Sequence, residues 1–249
     1  KGTFTPQLIF APGPRQSVED VAVTRSAVLA SIYDNVRGRA IAFTPGAKGW
    51  AERRLAFPDN LAIHVVSTTD RSDKAFLVAE GFLTPTGLWS ADLATAGAPG
   101  EVKALPARFD ASGSIVEQFE ATSTDGTKVP YFVVHPKGAK LDGTTPTLMT
   151  AYGGFEISRL PFYSGSTGKL WLERGGAFVL ANIRGGGEFG PKWHDAGRKT
   201  KRQIVYDDFA AVAKDLFARK LTSAAKLGIY GGSNGGLMMG GEFNQHPDL

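Results

Sequence analysis

Gly231-Gly232-Ser233-Asn234-Gly235 fits the pattern G-x-S-x-G. The chemistry such a stretch can do is nucleophilic. A serine at the apex of a sharp strand-to-helix turn, flanked by residues small enough for the two arms to approach, projects its hydroxyl beyond the carboxyl end of a sheet. There it stands beside the first free N–H groups of a helix, whose positive end favours a developing oxyanion. Ser233 is therefore the candidate nucleophile, and the backbone N–H of Asn234 a candidate oxyanion donor. The competing reading is a glycine-rich turn with an incidental serine. Ala151-Tyr152-Gly153-Gly154-Phe155 follows an apolar run upstream. A glycine pair after an early strand is a common source of the second oxyanion donor. Tyr152 stands where a histidine is usual, so its hydroxyl is the candidate donor; the alternative for Tyr152 is core packing with the hydroxyl turned outward.

Both stretches need strands before them, and the pattern supplies strands. Thr147 to Tyr152, Ala177 to Ile183 and Lys226 to Tyr230 read as strands, and Val129 to Val134 as one whose Pro130 suits an edge. The unbroken apolar run Ala177 to Ile183 marks a strand buried on both faces. Lys169 to Arg174 reads as a short helix ended by Gly175-Gly176. Tyr206 to Arg219 carries a helical apolar stripe, with Asp207 and Asp208 as its N-terminal cap, and Leu237 to Asn244 is a further helix. Strands alternating with helices indicate an α/β layer with a mostly parallel sheet. Upstream of about residue 110 the style differs. Short runs at Val28–Tyr33, Arg39–Phe43, Leu61–Ser67, Ala75–Glu80 and Gly87–Leu93 lie between turn residues, as antiparallel strands do. Their rhythm of about four strands per 40–45 residues suits propeller blades, and two blades cannot close a ring.

Other features carry less. Gly185-Gly186-Gly187-Glu188-Phe189-Gly190 matches G-x-G-x-x-G, but Pro191 and Trp193 interrupt the helix a dinucleotide site would open. His64, His135, His194 and His246 have no metal spacing and read as surface or capping residues. The basic run Arg198 to Arg202 has no interleaved aromatics and reads as a solvated face. The 249 residues are 42% apolar and 21% charged, with net charge +4, 31 dispersed glycines and 14 prolines. That is a globular composition with no case for nucleic acid. No apolar run approaches the ~18 residues of a membrane span. There is no cysteine, which excludes disulfides, zinc–thiolate sites and a cysteine nucleophile.

Several motifs in order resemble one family. Thr124-Asp125-Gly126-Thr127-Lys128-Val129-Pro130, Tyr152-Gly153-Gly154-Phe155, Ala181 to Gly190 with Trp193-His194, Gly231 to Gly236, and Asn244-Gln245 with Pro247-Asp248-Leu249 are similar to the prolyl oligopeptidase family of serine peptidases. The similarity is strongest from Val116 onward. The resemblance implies a β-propeller joined to an α/β-hydrolase. Residues 1–110 would be the last blades of the propeller, and residues 111–249 the N-terminal part of the hydrolase domain. It implies Ser233 as nucleophile, Asn234 N–H and the Tyr152 hydroxyl as oxyanion hole, and Phe155 in the pocket for the residue before the cleaved bond. Asn234 directly after the serine is the prolyl-type form and points to cleavage after proline. The triad runs Ser, then Asp or Glu, then His. His246 and Asp248 follow Ser233 in the wrong order, so the triad acid and base are expected beyond Leu249 and this piece alone is expected to be inactive. The implied partners are short peptides, with no cofactor, nucleic acid or membrane and with a monomeric state. An esterase or aminopeptidase relative, and a non-catalytic propeller-bearing binding protein, are the other readings.

Overall fold

Two four-stranded antiparallel sheets come first in the computed structural model, which describes residues 5–249. One consists of β1 (Gln16–Val23), β2 (Val28–Asp34), β3 (Arg37–Gly46) and β4 (Gly49–Arg54), in that order. The other repeats the meander with β5 (Ala62–Thr69), β6 (Ser72–Gly81), β7 (Thr84–Asp92) and β8 (Gly100–Ala104). The apolar runs expected to be strands fall in β2, β3, β5, β6 and β7. The remaining three, β1, β4 and β8, lie at sheet edges. Every residue of β8 is exposed and β1 is bulged at Val18/Asp20, so neither carries the alternation that marks a strand with one buried face.

The two sheets share a core of Leu29, Ala40 and Ala42 with Leu61, Ile63 and Leu77. Small residues set the close spacing: a Cβ on Gly38 would stand 2.6 Å from the Leu61 carbonyl oxygen, which the Gly38 N–H bonds at 2.8 Å. Asp73 of β6 is buried and takes hydrogen bonds from Ser26 N–H, Ser26 Oγ, Thr24 Oγ1 and Arg25 of the β1–β2 turn. Burial alone would raise its carboxyl, and these donors hold it below the ordinary aspartate range.

The third sheet is mixed. It contains β9 (Ser114–Thr122), β10 (Lys128–Pro136), β11 (Thr147–Thr150), β12 (Ala177–Ala181) and β13 (Leu227–Tyr230), in the order β13-β11-β12-β10-β9. Only β12-β11-β13 is parallel; β9, β10 and β12 pair antiparallel. The expected mostly parallel sheet is thus corrected to an evenly mixed one. The Ser123–Thr127 turn explains why: it closes with Ser123 N–H on the Thr127 carbonyl, and a turn that short can join only antiparallel strands. β10 is interior, not the edge that Pro130 suggested. Pro130 sits beyond the last β12 residue, where its carbonyl accepts from Asn182 N–H at 3.0 Å, so the missing proline N–H falls at the end of the ladder.

Helices α1 (Gly165–Leu170), α2 (Pro191–Asp195), α3 (Gln203–Ala218) and α4 (Asn234–Gln245) complete the described elements. The short helix expected over 169–174 is α1 followed by a 3-10 turn, ended by Gly175 in the left-handed region. Phe209, Val212 and Leu216 of α3 and Met238 and Met239 of α4 pack on one face of the mixed sheet. On the other face Phe132, Val134, Phe178 and Leu180 meet Phe82 and Val36 from the antiparallel sheets. β12 is therefore covered on both sides, as its apolar run required.

Asp207 and Asp208 are not the cap of α3, which begins at Gln203. Asp208 is fully buried and pairs with Arg184: Arg184 N–H and Nε donate to Oδ2 at 3.0 and 2.9 Å, and Nη2 to Oδ1 at 2.6 Å. Ser123 Oγ also donates to Asp208, and the far side of the guanidinium binds Asp125 and Thr127 of the β9–β10 turn. His135 is likewise not a surface histidine; it is buried in β10 with Nε2 2.6 Å from Glu117.

Glu242 on α4 is 2% exposed, and neither carboxyl oxygen has a partner among the described residues. Burial, reinforced by the charge of Asp207 and opposed by Lys214, pushes it up to about 8. A raised acid stabilises the fold below the unfolded value and loses that contribution as pH rises to the folded value. Glu242→Gln is therefore expected to unfold at a higher temperature than the parent at pH 9, with the advantage vanishing near pH 4. Thermal unfolding at the two pH values checks this.

Candidate active site at the end of the parallel strands

Parallel pairing of β11 with β13 puts Thr150 beside Tyr230, so the chain leaves both strands at the same edge of the sheet. From β11 it runs into Tyr152-Gly153-Gly154-Phe155, and from β13 into Gly231-Gly232-Ser233-Asn234. The two stretches singled out by residue type are thereby brought together. Ser233 has φ 54° and ψ −121°, backbone angles that a residue with a Cβ seldom holds and that cost about 1–3 kcal/mol. Packing of α4 immediately after it holds the turn. A Cβ on Gly231 would lie 2.5 Å from the Gly235 carbonyl oxygen, and one on Gly235 would lie 2.9 Å from that of Ala151. Ser233 is exposed, and its hydroxyl has no hydrogen-bond partner among the described residues. Asn234 is the first residue of α4, so its N–H has no acceptor within the helix and points from the positive end of the helix dipole.

The Asn234 side chain joins the two loops. Its Nδ2 donates to the Tyr152 carbonyl at 2.6 Å. Gly154 leaves room for it, since a Cβ there would stand 2.4 Å from Nδ2. Tyr152 is half-buried, and its hydroxyl is not hydrogen-bonded to any described residue. Gly153 has φ +61° and faces Val205 and Ile183 at distances that exclude a side chain. Phe155 and Glu156 follow with φ 56° and 57°, two successive residues in the left-handed region, and Phe155 is 73% exposed. A cleft of about 440 Å³ opens beside this loop, lined in part by Phe155, Asn234, Arg198, Lys199 and Arg202.

Two residues with work to do here escaped the sequence reading. Arg202 belongs to the run read as a solvated face. Arg198 to Lys201 are indeed exposed, but Arg202 is half-buried and donates from Nη1 to the Gly153 carbonyl at 3.0 Å. His194, read as a surface residue, has Nδ1 2.7 Å from the Gly185 carbonyl and 3.0 Å from Glu156 N; the first contact needs a protonated Nδ1 and the second a bare one. The only sequence signal for either was position, close to glycines that must approach something. Gly185 shows what: a Cβ there would be 2.4 Å from the Gly153 carbonyl oxygen. The G-x-G-x-x-G stretch is thus a packing surface for the Gly153–Gly154 loop, with α2 only five residues long behind it. His246 caps the far end of α4, about 20 Å along the helix from Ser233 at about 1.5 Å per residue.

Residues 163–249 match the sequence model of the prolyl oligopeptidase family, Peptidase_S9. Over 244 residues the chain is 55% identical to the uncharacterized peptidase y4nA of Sinorhizobium fredii, covering 98% of this chain and 34% of that protein. Over 169 residues it is 40% identical to a prolyl endopeptidase of Elizabethkingia meningoseptica, covering 68% of this chain and 24% of that one. The solved structure of a post-proline cleaving enzyme from Rickettsia typhi superposes with TM-score 0.85 at 37% identity, over 97% of this chain and 35% of the other. The chain spans about a third of the length of the curated relatives it matches along nearly its whole extent. Matched in one segment by the family model and along nearly its whole length by peptidases of that kind, the chain belongs to the prolyl oligopeptidase family.

Proposed function

We propose that this chain carries the nucleophile of a serine endopeptidase that hydrolyses short peptides after proline. The observation that carries the reading is the backbone of Ser233: strained, exposed, at a strand-to-helix apex and pressed against the Tyr152–Phe155 loop. In this reading Ser233 Oγ attacks the peptide carbonyl carbon. Its proton passes to a general base and on to the departing amine, and water then hydrolyses the acyl-enzyme. The Asn234 N–H and the Tyr152 hydroxyl receive the oxyanion, and exposed Phe155 offers its ring to the side chain before the cleaved bond. The two antiparallel meanders within residues 1–110 are blades of a β-propeller, and residues 111–249 are the first part of an α/β-hydrolase domain. The whole protein works as a monomer on peptides, without a metal or organic cofactor.

Initial rates on a proline-containing peptide, on its alanine counterpart and on a short acyl ester test the reading. Proline is expected to be preferred over alanine by at least tenfold in kcat/KM. Preference for the ester would move the assignment to an esterase, and turnover only from a free N-terminus to an aminopeptidase. The general base is assigned to no residue of this chain. The 249 residues alone are therefore expected to react with a fluorophosphonate at the rate of an ordinary serine, and rapid labelling of Ser233 would overturn that expectation.

A further inference from the structure

Glu188 lies on the glycine-rich turn after β12 and is 1% exposed. Its Oε1 accepts from the Arg159 backbone N–H at 3.0 Å. Asn182, fully buried at the end of β12, donates from Nδ2 to the Arg159 carbonyl at 2.6 Å and stands 3.5 Å from the same Oε1. Both main-chain groups of Arg159 are thus gripped by two buried side chains. The place is built for the carboxyl: a Cβ on Gly186 would fall 2.1 Å from Glu188 Oε2. The Glu188 carbonyl also accepts from Ser17 Oγ of β1 at 3.1 Å, which ties this turn to the first antiparallel sheet.

Arg159 ends the short segment that begins at Phe155. The other end of that segment is held by Arg202 on the Gly153 carbonyl and by Asn234 on the Tyr152 carbonyl. Between the two anchored ends lie Phe155 and Glu156 in the left-handed region, a conformation that relaxes unless its flanks are fixed. We propose that Glu188 is a positioning residue: through Arg159 it fixes the loop that presents Phe155, and so sets how the pocket meets its substrate. The importance for substrate rests on the peptidase reading above, whereas the grip on the loop does not.

The charge state of this carboxyl supplies a signature that a merely space-filling role would lack. Burial pushes it up to about 7, against the opposing bonds from Arg159 N–H and Asn182. The charged group facing it is Arg159, which lowers the value and whose guanidinium lies over the Phe162 ring; Arg184 on the β12 side turns away to Asp208, Arg15 ahead of β1 lies over the adjacent Phe189 ring, β1 presents Ser17, which does not titrate, and His194 meets the far end of the loop at Glu156 N. Oε2 and Asn182 Oδ1 have no partners among the described residues, so an ionised Glu188 is a buried charge with one oxygen unpaired. Opening the loop returns the carboxyl to its ordinary value of 4.5. The held state is therefore favoured below that value. Its advantage falls about tenfold per pH unit up to about pH 7 and is flat above.

Amide hydrogen exchange of residues 155–159 in the full chain, corrected for intrinsic rates, reads this directly. In the parent, opening of these residues is expected to rise about tenfold per unit from pH 5 to 7 and then level off. Glu188→Gln keeps an acceptor for Arg159 and has no charge, so its opening is expected to be parent-like at pH 5 and independent of pH. Glu188→Leu should raise opening of residues 155–159 at least tenfold at every pH while leaving β11 and α4 unchanged. With an active enzyme, Glu188→Leu should raise KM for the proline peptide more than it lowers kcat. Unchanged exchange at 155–159 in Glu188→Leu, or a pH slope retained in Glu188→Gln, would overturn the proposal. Exchange behaviour as expected, with no peptide turnover by the whole protein that contains this chain, would leave the grip standing and sink the peptidase reading instead.

Discussion

With Ser233 as the proposed nucleophile, Ser233→Ala in the whole protein that contains this chain is expected to lower kcat on a proline peptide by roughly 10⁵–10⁶-fold and to leave the fold in place. The size follows from the proposed role: without Oγ no acyl-enzyme would form, and the residual rate would come from oxyanion donors acting on a bound peptide. KM should change little, since the alanine removes an atom that reacts rather than one that binds. Steady-state kinetics with a fluorophosphonate titration of active sites measures both quantities. A variant retaining a hundredth of the parent rate would show that another group is the nucleophile. Ser233→Gly should be equally inactive but more stable than Ser233→Ala by about 1 kcal/mol, because glycine holds φ 54° without strain.

The second large effect is on stability. Asp208→Ala leaves the Arg184 guanidinium and backbone N–H buried and short of their main acceptor, so about 3–5 kcal/mol of stability should be lost. That is a large fraction of the about 5–15 kcal/mol that holds a typical domain folded. Asp125 cannot compensate from where it stands, although Arg184 holds its carboxyl far below the ordinary aspartate range. Arg184→Met with Asp208→Leu should lose less than either single substitution, since the pair then leaves together and no lone charge remains. Denaturant unfolding of the two single variants and the double variant checks the ordering.

Asp208 also shows where sequence reading runs out. Two adjacent acids near the start of a helical stripe are what a cap looks like, and only the register of α3 against the β9–β10 turn reveals one of them as a buried counter-ion. That register depends on residues some 85 positions apart, Ser123 and Asp208, which meet through one hydrogen bond. The interior strands were legible because burial on one or two faces leaves a period in the side chains. The edge strands β1, β4 and β8 were not, because little of their length is buried, whereas β5 and β13, also at edges, each carry an apolar run. The serine turn was legible for a different reason: its angles and its close neighbours admit few residue types, so the constraint is written in consecutive positions. Glu188 and Arg202 sit at the opposite extreme. Each acts on the main chain of a distant loop, which leaves no mark on its own neighbours in sequence.

The glycines around Ser233 have a consequence for anyone who would redesign this protein. An added methyl group on Gly154, Gly185 or Gly235 would overlap another loop of the same site, and one on Gly231 would overlap Gly235 across its own turn. The site is an interlocked set of chain segments with no slack between them, so changes there act by displacing a neighbour rather than by altering a surface. Random variation across these positions would return mostly unfolded chains. Phe155, by contrast, points its ring outward from a backbone fixed on both sides. There a new side chain meets no neighbouring segment and only φ 56° restricts it, disfavouring β-branched residues, so under the proposed function a library aimed at new substrates belongs there.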